Sequence, residues 1–293
     1  MESRKRATLT GRMLAAGLLA GVLALAWFEN RSALAQSIGA GKPILGWLQF
    51  AGAKNPAQPP ALFLTVYQPA RRSLTLVYMP SLSRRAGPAL EAAAAQLAAL
   101  TPAQRDWTGL PVWTAPGPAL GDEPPLDAAD WLLRQSRAPR SWLPALFSRN
   151  APGWPLFDRL LLALDLVRLG PKDLHPAWLP PQDQAGAWLN RILTDDRQPA
   201  PERATVEVLN ASGQSGIASR AKNLLRLHGA DVMSVGNVER RGTTLVYDRT
   251  GRFDNAVQVA RMLGCPAARP LTKVDLKSLV DVTVVLAEDC PLP

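Results

Sequence analysis

Residues 206–216 read VEVLNASGQSG and run directly into IASRAKNLLRLHG, residues 217–229. Val206, Val208 and Asn210 alternate with polar or outward positions as a strand does, and two glycines follow. Ile217, Ala221, Leu224 and Leu225 then recur at helical spacing until Gly229. A strand, a glycine turn and a helix in this order form either a phosphate-binding loop or a plain connection. A dinucleotide fingerprint needs a third glycine and an acid at the end of the second strand. Here Gly213 and Gly216 stand alone, and Asp231 opens the second strand. The lysine of a phosphate loop is missing too. The stretch therefore reads as a turn: Asn210 and Ser212 supply its hydrogen bonds and Ser215 caps the helix. The amides around Ser215 and Gly216 remain a candidate anion contact.

The surrounding sequence extends the pattern. DVMSVG (231–236), TTLVYD (243–248) and DVTVVLAED (281–289) read as strands, and FDNAVQVARMLG (253–264) as a second helix. From 204 to 293 the expected domain is a small βαββαβ sandwich with its helices on one side of the sheet. Cys265 and Cys290 are the only cysteines, and each precedes a proline. In an oxidising compartment they are candidates for a disulfide between the end of the second helix and the end of the last strand. His228 sits in the last turn of the first helix as a structural residue, and with one other histidine, His175, no zinc shell can be completed.

Upstream, ALFLTVYQPARRSLTLVYMP (61–80) reads as a hairpin, and helices are expected over 88–100, 126–136, 154–170 and 183–193. In the third of these, Phe157, Leu160, Leu161, Leu164 and Val167 share one face. A short strand is expected near Val112, within a proline-broken loop. Residues 37–60 read as a spacer and 194–203 (TDDRQPAPER) as a linker, leaving 61–193 as a shortened α/β middle domain. Seven of the nine tryptophans lie between 107 and 188, where they read as core and loop anchors, not as sugar platforms. The expected class of the whole is α/β, of the α+β kind.

The N-terminus is basic, and Leu9–Phe28 is apolar except for Thr10 and the flanking Gly11 and Arg12. As a helix these residues reach about 30 Å, the thickness of a hydrocarbon core. The basic flank lies before the helix, so the bulk of the chain is expected outside the cytoplasm. Two outcomes fit residues 1–36: a single anchor retained in the inner membrane, or a signal cleaved after Ala35 to release a secreted or periplasmic protein. The formal charge is +9, of which the first 31 residues supply +3, and the rest is scattered. That distribution excludes a nucleic-acid-binding stripe and leaves anionic lipid or wall polymer as the partners a basic surface favours.

VEVLNASGQSGIASRAKNLLRLHGADVMSVGN, TTLVYDRTGRFDNAVQVARMLG and DVTVVLAED together resemble the C-terminal domain of the LytR-CpsA-Psr family of bacterial envelope proteins, over 204–289. The middle region is similar in outline to the catalytic domain that precedes it in that family. There a hairpin ends in Ser-Ile-Pro-Arg-Asp, and arginines and carboxylates hold a polyprenyl pyrophosphate with magnesium. In this chain Ser81 and Leu82 follow Pro80, and leucine cannot ligate a hard cation. The resemblance implies a degenerate relative with no catalytic residue, metal or cofactor, whose partners are the membrane and a wall glycan, a polyprenyl-linked lipid or another envelope protein. The alternative it leaves open is a divergent phosphotransferase that uses Arg84 and Arg85 on phosphate, with magnesium, to attach a lipid-linked glycan to peptidoglycan. A serine hydrolase lacks support, since no Gly-x-Ser-x-Gly occurs and neither histidine sits in a fitting turn.

Overall fold

A computed structural model describes residues 32–51, 61–80, 89–101, 107, 110–118, 120–137, 156–194, 203–275 and 277–292, with scattered positions between 16 and 27. The hairpin is its starting point. β2 (Ala61–Gln68) and β3 (Ser73–Tyr78) pair antiparallel, with Leu64 opposite Val77 and Val66 opposite Thr75. Every residue of β2 is buried, as expected of a strand covered on both faces. On one face Leu62, Leu64 and Val66 meet Ala93, Ala94 and Leu97 of α2 (Ala89–Leu100) and Trp188, Leu189 and Leu193 of α5 (Gln182–Thr194). On the other, Phe63 and Leu76 meet Leu34 of α1 (Ala33–Gly39), Ala128 and Ala129 of α3 (Pro124–Ser136), and Leu162 of α4 (Leu156–Val167).

Two strands of this half were not anticipated. The stretch read as a spacer holds β1 (Ile44–Ala51), which runs antiparallel to β2 and parallel to β4 (Val112–Pro116). Gly41, Pro43 and the prolines at 56, 59 and 60 give the segment a loop-like texture, yet Trp47 and Phe50 within it are fully buried. β5 (Leu174–Trp178) follows a 3-10 turn at Pro171–Asp173 and carries a proline in mid-strand, a residue that interrupts ladder donation. The face read for α4 also changes. Leu164 and Val167 are exposed, the side chains of Phe157, Leu160 and Leu161 lie outside the described ones, and the described inward residues are Leu162, Leu166 and Leu169. Leucines at half of its positions leave the rotation of this helix open to periodicity. The bond from the Tyr67 hydroxyl to Asp165 Oδ2 (2.8 Å) helps fix it.

In the C-terminal half, β6 (Thr205–Asn210), α6 (Ile217–Leu227), β7 (Asp231–Asn237), β8 (Leu245–Asp248), α7 (Phe253–Leu263) and β10 (Val282–Leu286) fall where the sequence puts them. An additional short strand, β9 (Arg269–Thr272), makes the order βαββαββ. Four residues containing Pro270 gave it no pattern. Val206, Val208, Val246, Val284 and Leu286 pack against Ile217, Ala221 and Leu225 of α6 and Ala256, Val259 and Leu263 of α7, so both helices lie on one face. The opposite face, with Leu245, Tyr247, Leu271 and Val285, is met by Leu126 at the start of α3.

The described strands form one mixed sheet in the order β4-β1-β2-β3-β5-β9-β8-β10-β6-β7. Its seam between the halves is narrow: β5 and β9 run parallel with one described pair, Ala177 opposite Thr272. At the far end, β7 is the terminal strand, and Arg226 Nη2 donates to its Val232 carbonyl at 2.8 Å. Among the described residues no helix is long and apolar enough to cross a membrane, and most of the apolar segment 9–28 lies outside them.

Candidate functional site

The opening turn is closed by its own polar side chains. Asn210 Oδ1 accepts from the Ser212 amide (3.0 Å) and hydroxyl (2.8 Å), the Ser212 hydroxyl oxygen accepts from the Gln214 amide (3.0 Å), and Asn210 Nδ2 donates to the Gln214 carbonyl (2.9 Å). Gly213 has a positive φ of 75° and lies under the Arg240 guanidinium, which a Cβ there would strike. The cap of α6 differs from the sequence reading: the N-cap is Gly216, at φ 78°, and Ser215 makes no cap bond. The residue that must turn the chain left-handed immediately before the helix displaces serine from the capping place. Ser215 and Gly216 are both exposed, and the space above Gly216 is open.

Arg84 and Arg85 lie outside the described residues, as do Ser81 and Leu82. Cys265 and Cys290 are paired as a disulfide, with Cα atoms 5.5 Å apart and a sequence separation of 25. The bond joins the segment just after α7 to the segment just after β10, and both cysteines belong to the apolar core of this half.

The largest polar assembly sits where the halves meet. Glu123, at the N-cap of α3, is nearly buried. Its Oε2 accepts from the Trp178 indole at 2.8 Å and its Oε1 from the Tyr247 hydroxyl at 2.6 Å. Arg241 Nη1 lies 3.7 Å from Glu123 Oε1 and donates to the Tyr247 hydroxyl at 3.4 Å. The Lys273 ammonium stands 4.8 Å from the Trp178 ring centre and 5.5 Å from that of Tyr247. Burial, then the bond to Glu123, holds the Tyr247 phenol well above the ordinary tyrosine range. Beside it, Arg269 grips Asp130 through two bonds of 2.6 and 3.0 Å.

On the other side of the seam is a cavity of about 70 Å³. Thr75, His175, Trp188 and Arg191 contribute from the first half, and Gly251 to Asn255 and Thr272 from the second. Asp248 positions the second wall. Its Oδ1 accepts from the Thr250 amide (3.1 Å) and hydroxyl (3.0 Å), its Oδ2 from the Thr272 hydroxyl (3.0 Å), and its carboxylate also takes the Arg252 amide. Burial raises the Asp248 carboxyl above the ordinary range, and these bonds oppose the rise. Gly251, at φ 80°, lets the turn lie directly against the Trp188 ring. The His175 and Phe253 rings meet across the junction with centres 4.4 Å apart.

Neither assembly was found from sequence. Glu123 and Tyr247 are separated by 124 residues and Asp130 and Arg269 by 139, and no local spacing encodes such pairs. Among the described residues no group of three His, Cys, Asp or Glu is placed to hold a metal ion.

Residues 203–289 match the family described as LytR cell envelope-related transcriptional attenuator, through its C-terminal domain. Among solved structures, the solution structure of the C-terminal domain of RV0431 is 32% identical, over 31% of this chain and 78% of that one, with a TM-score of 0.22. No curated protein matches the chain. Strand, Asn-Gly turn, helix and valine-rich final strand thus coincide with an established domain, and through residues 203–289 the chain belongs to the LytR C-terminal domain family.

Proposed function

We propose that the protein is an exported, membrane-associated factor of cell-wall or surface-glycan assembly that binds an envelope component and performs no transfer chemistry. Its LytR C-terminal domain makes it a cell-envelope-associated protein. The observation that carries the non-catalytic reading is the chain that follows the hairpin: β2 and β3 lead to Pro80, and Ser81-Leu82 then replace the Arg-Asp of the active relatives. Two acidic groups of the first half support the same reading. Glu123 and Asp130 are both committed to bonds across the junction, where they hold structure together.

The test is co-sedimentation of the purified full chain with isolated cell wall and with vesicles carrying a polyprenyl pyrophosphate. Saturable binding without turnover is expected. Magnesium-dependent transfer of a lipid-linked glycan, lost in the Arg84→Ala, Arg85→Ala double variant, would overturn the reading in favour of the phosphotransferase. The export part is tested separately: a reporter active only in the cytoplasm, fused after Pro293, is expected to be silent.

A further inference from the structure

We propose that the outward face of α4 lies in the surface of the lipid bilayer. The sequence of α4 carries two apolar stripes, where a helix packed on a single core needs one. At about 100° per residue, Leu162, Leu166 and Leu169 fall together on one side, and these are the described residues that reach the first core. Phe157, Leu160, Leu161, Leu164 and Val167 fall together on the opposite side. The two of these whose side chains are described stand in solvent, Leu164 at 54% exposure and Val167 at 40%. Both acidic positions of the helix, Asp158 and Asp165, lie about 100–120° from the centre of that outer stripe. Asp165 is also drawn away from it, accepting from the hydroxyl of buried Tyr67 at 2.8 Å.

Two exposed apolar residues are ordinary on any surface, and their place is what singles them out. α4 packs against α1, where Leu34 and Ile38 join Leu162 and Leu166 in one core. α1 begins at Ala33, five residues after Phe28, where the apolar N-terminal segment ends. Five residues extend at most about 18 Å. A segment that leaves the membrane at Phe28 therefore holds α1, and α4 beside it, close to the bilayer surface. Among the described residues after Ser32, the other large apolar side chains in solvent are Leu227, Met233, Val235, Val238 and Leu279, all in the second half.

The chemistry of the stripe selects lipid. Phenylalanine, leucine and valine offer no hydroxyl, amide or carboxylate with which to orient a folded partner. An interfacial helix lays such a face about 5–10 Å into the boundary between headgroups and acyl chains. Cations stand where this one ends: Arg168, with its side chain 62% exposed, follows the helix directly, and exposed Lys172 comes in the next turn. Long basic side chains at that level reach the phosphates of anionic headgroups. Arg168 lies 3.9 Å from Asp165, an exposed pairing that a headgroup displaces at little cost. The core stripe is untouched by this contact, so the first half meets the membrane without opening.

This contact rests on the reading of the protein as membrane-associated and adds which surface of the folded chain meets the lipid. Because Cys265 and Cys290 are paired, Leu164→Cys gives the full chain one free thiol. The thiol is labelled with nitrobenzoxadiazole, and the chain is reconstituted in vesicles of phosphatidylcholine and phosphatidylglycerol with plain or brominated acyl chains. Brominated lipid is expected to quench the label by about half at an interfacial depth. A label at Leu279→Cys, 94% exposed in the second half, is expected to keep its emission. Val167→Cys repeats the measurement should Leu164→Cys fail to fold, and adding Leu164→Glu to it is expected to lose most of the quenching. Equal quenching in both halves, or none on α4, overturns the contact. A label that is shielded but not quenched shows protein on the stripe and overturns it too: a second copy if shielding follows protein concentration, this chain's own apolar segment if it does not. Quenching on α4 in a chain that binds neither wall nor polyprenyl pyrophosphate keeps this contact and removes the binding role. An unquenched label in a chain that binds them keeps the role and removes the contact.

Discussion

The halves before and after residue 200 share one sheet and are stabilised by different means. Before it, helices cover the sheet on both faces, and strand β2 has no exposed residue. After it, α6 and α7 lie on one face, the other face borrows Leu126 from the first half, and a disulfide closes the core. A domain of about 90 residues has little interior for its surface, and a covalent tie supplies what burial does not. The comparison teaches that the first half is held by apolar volume on both faces of its sheet, and the second by an apolar core on one face, a crosslink and a shared wall.

The largest effect expected is from Trp47→Ala. It removes a fully buried indole from the first core and should cost about 3–5 kcal/mol in denaturant unfolding. If the halves are separable, amide protection falls in β1 and β2 while that of β6 and β10 survives. Simultaneous loss would show that they unfold as one. Next is the double replacement Cys265→Ser, Cys290→Ser, expected to cost about 3 kcal/mol through the closed loop and to lower protection first in the second half. Thiol titration of the unreduced, denatured chain should find no free thiol, and two would remove the crosslink from the comparison.

Tyr247→Phe attacks the junction itself. Loss of the hydroxyl from nearly buried Glu123 should cost about 2 kcal/mol. It should also alter the alkaline limb of stability. The Tyr247 pKa is raised in the folded state, so its contribution is complete below the ordinary tyrosine pKa of about 10 and is lost as pH rises through the folded value. Tyr67 is raised in the same direction, by burial and then by its bond to Asp165, so the variant should flatten this loss without abolishing it. An unchanged profile above pH 10 would be evidence against the Glu123 bond. The smallest effect belongs to Asp130→Asn. Both partners of the Asp130–Arg269 pair are about one-third exposed, and less than about 1 kcal/mol is expected, diminishing with salt.

These differences also governed what could be read from sequence. The Asn210–Gly216 turn was legible because its bonds span four residues or fewer. The helices were legible by spacing, except where α4 offered leucine on nearly every side. β1 was hidden by flanking glycine and proline, β5 by Pro176 and β9 by its four-residue length, and two of these three meet at the seam. The cavity was illegible for the same reason. Its walls come from segments that acquire meaning only when two strands without a pattern lie side by side. The resemblance to an envelope family located the second half and could say nothing of how it docks on the first.

A sheet has two ends, and at one of them the chain has already answered a hazard of its architecture. Met233 and Val235 are exposed on β7, the terminal strand, and no charged residue or proline interrupts residues 232–237. Such an edge invites a strand from another molecule and, from there, aggregation. Arg226 meets this risk by setting its guanidinium on the Val232 carbonyl. An incoming backbone would have to displace a cation to reach that carbonyl, so the last turn of the helix that seals the core also occupies one position of the open edge.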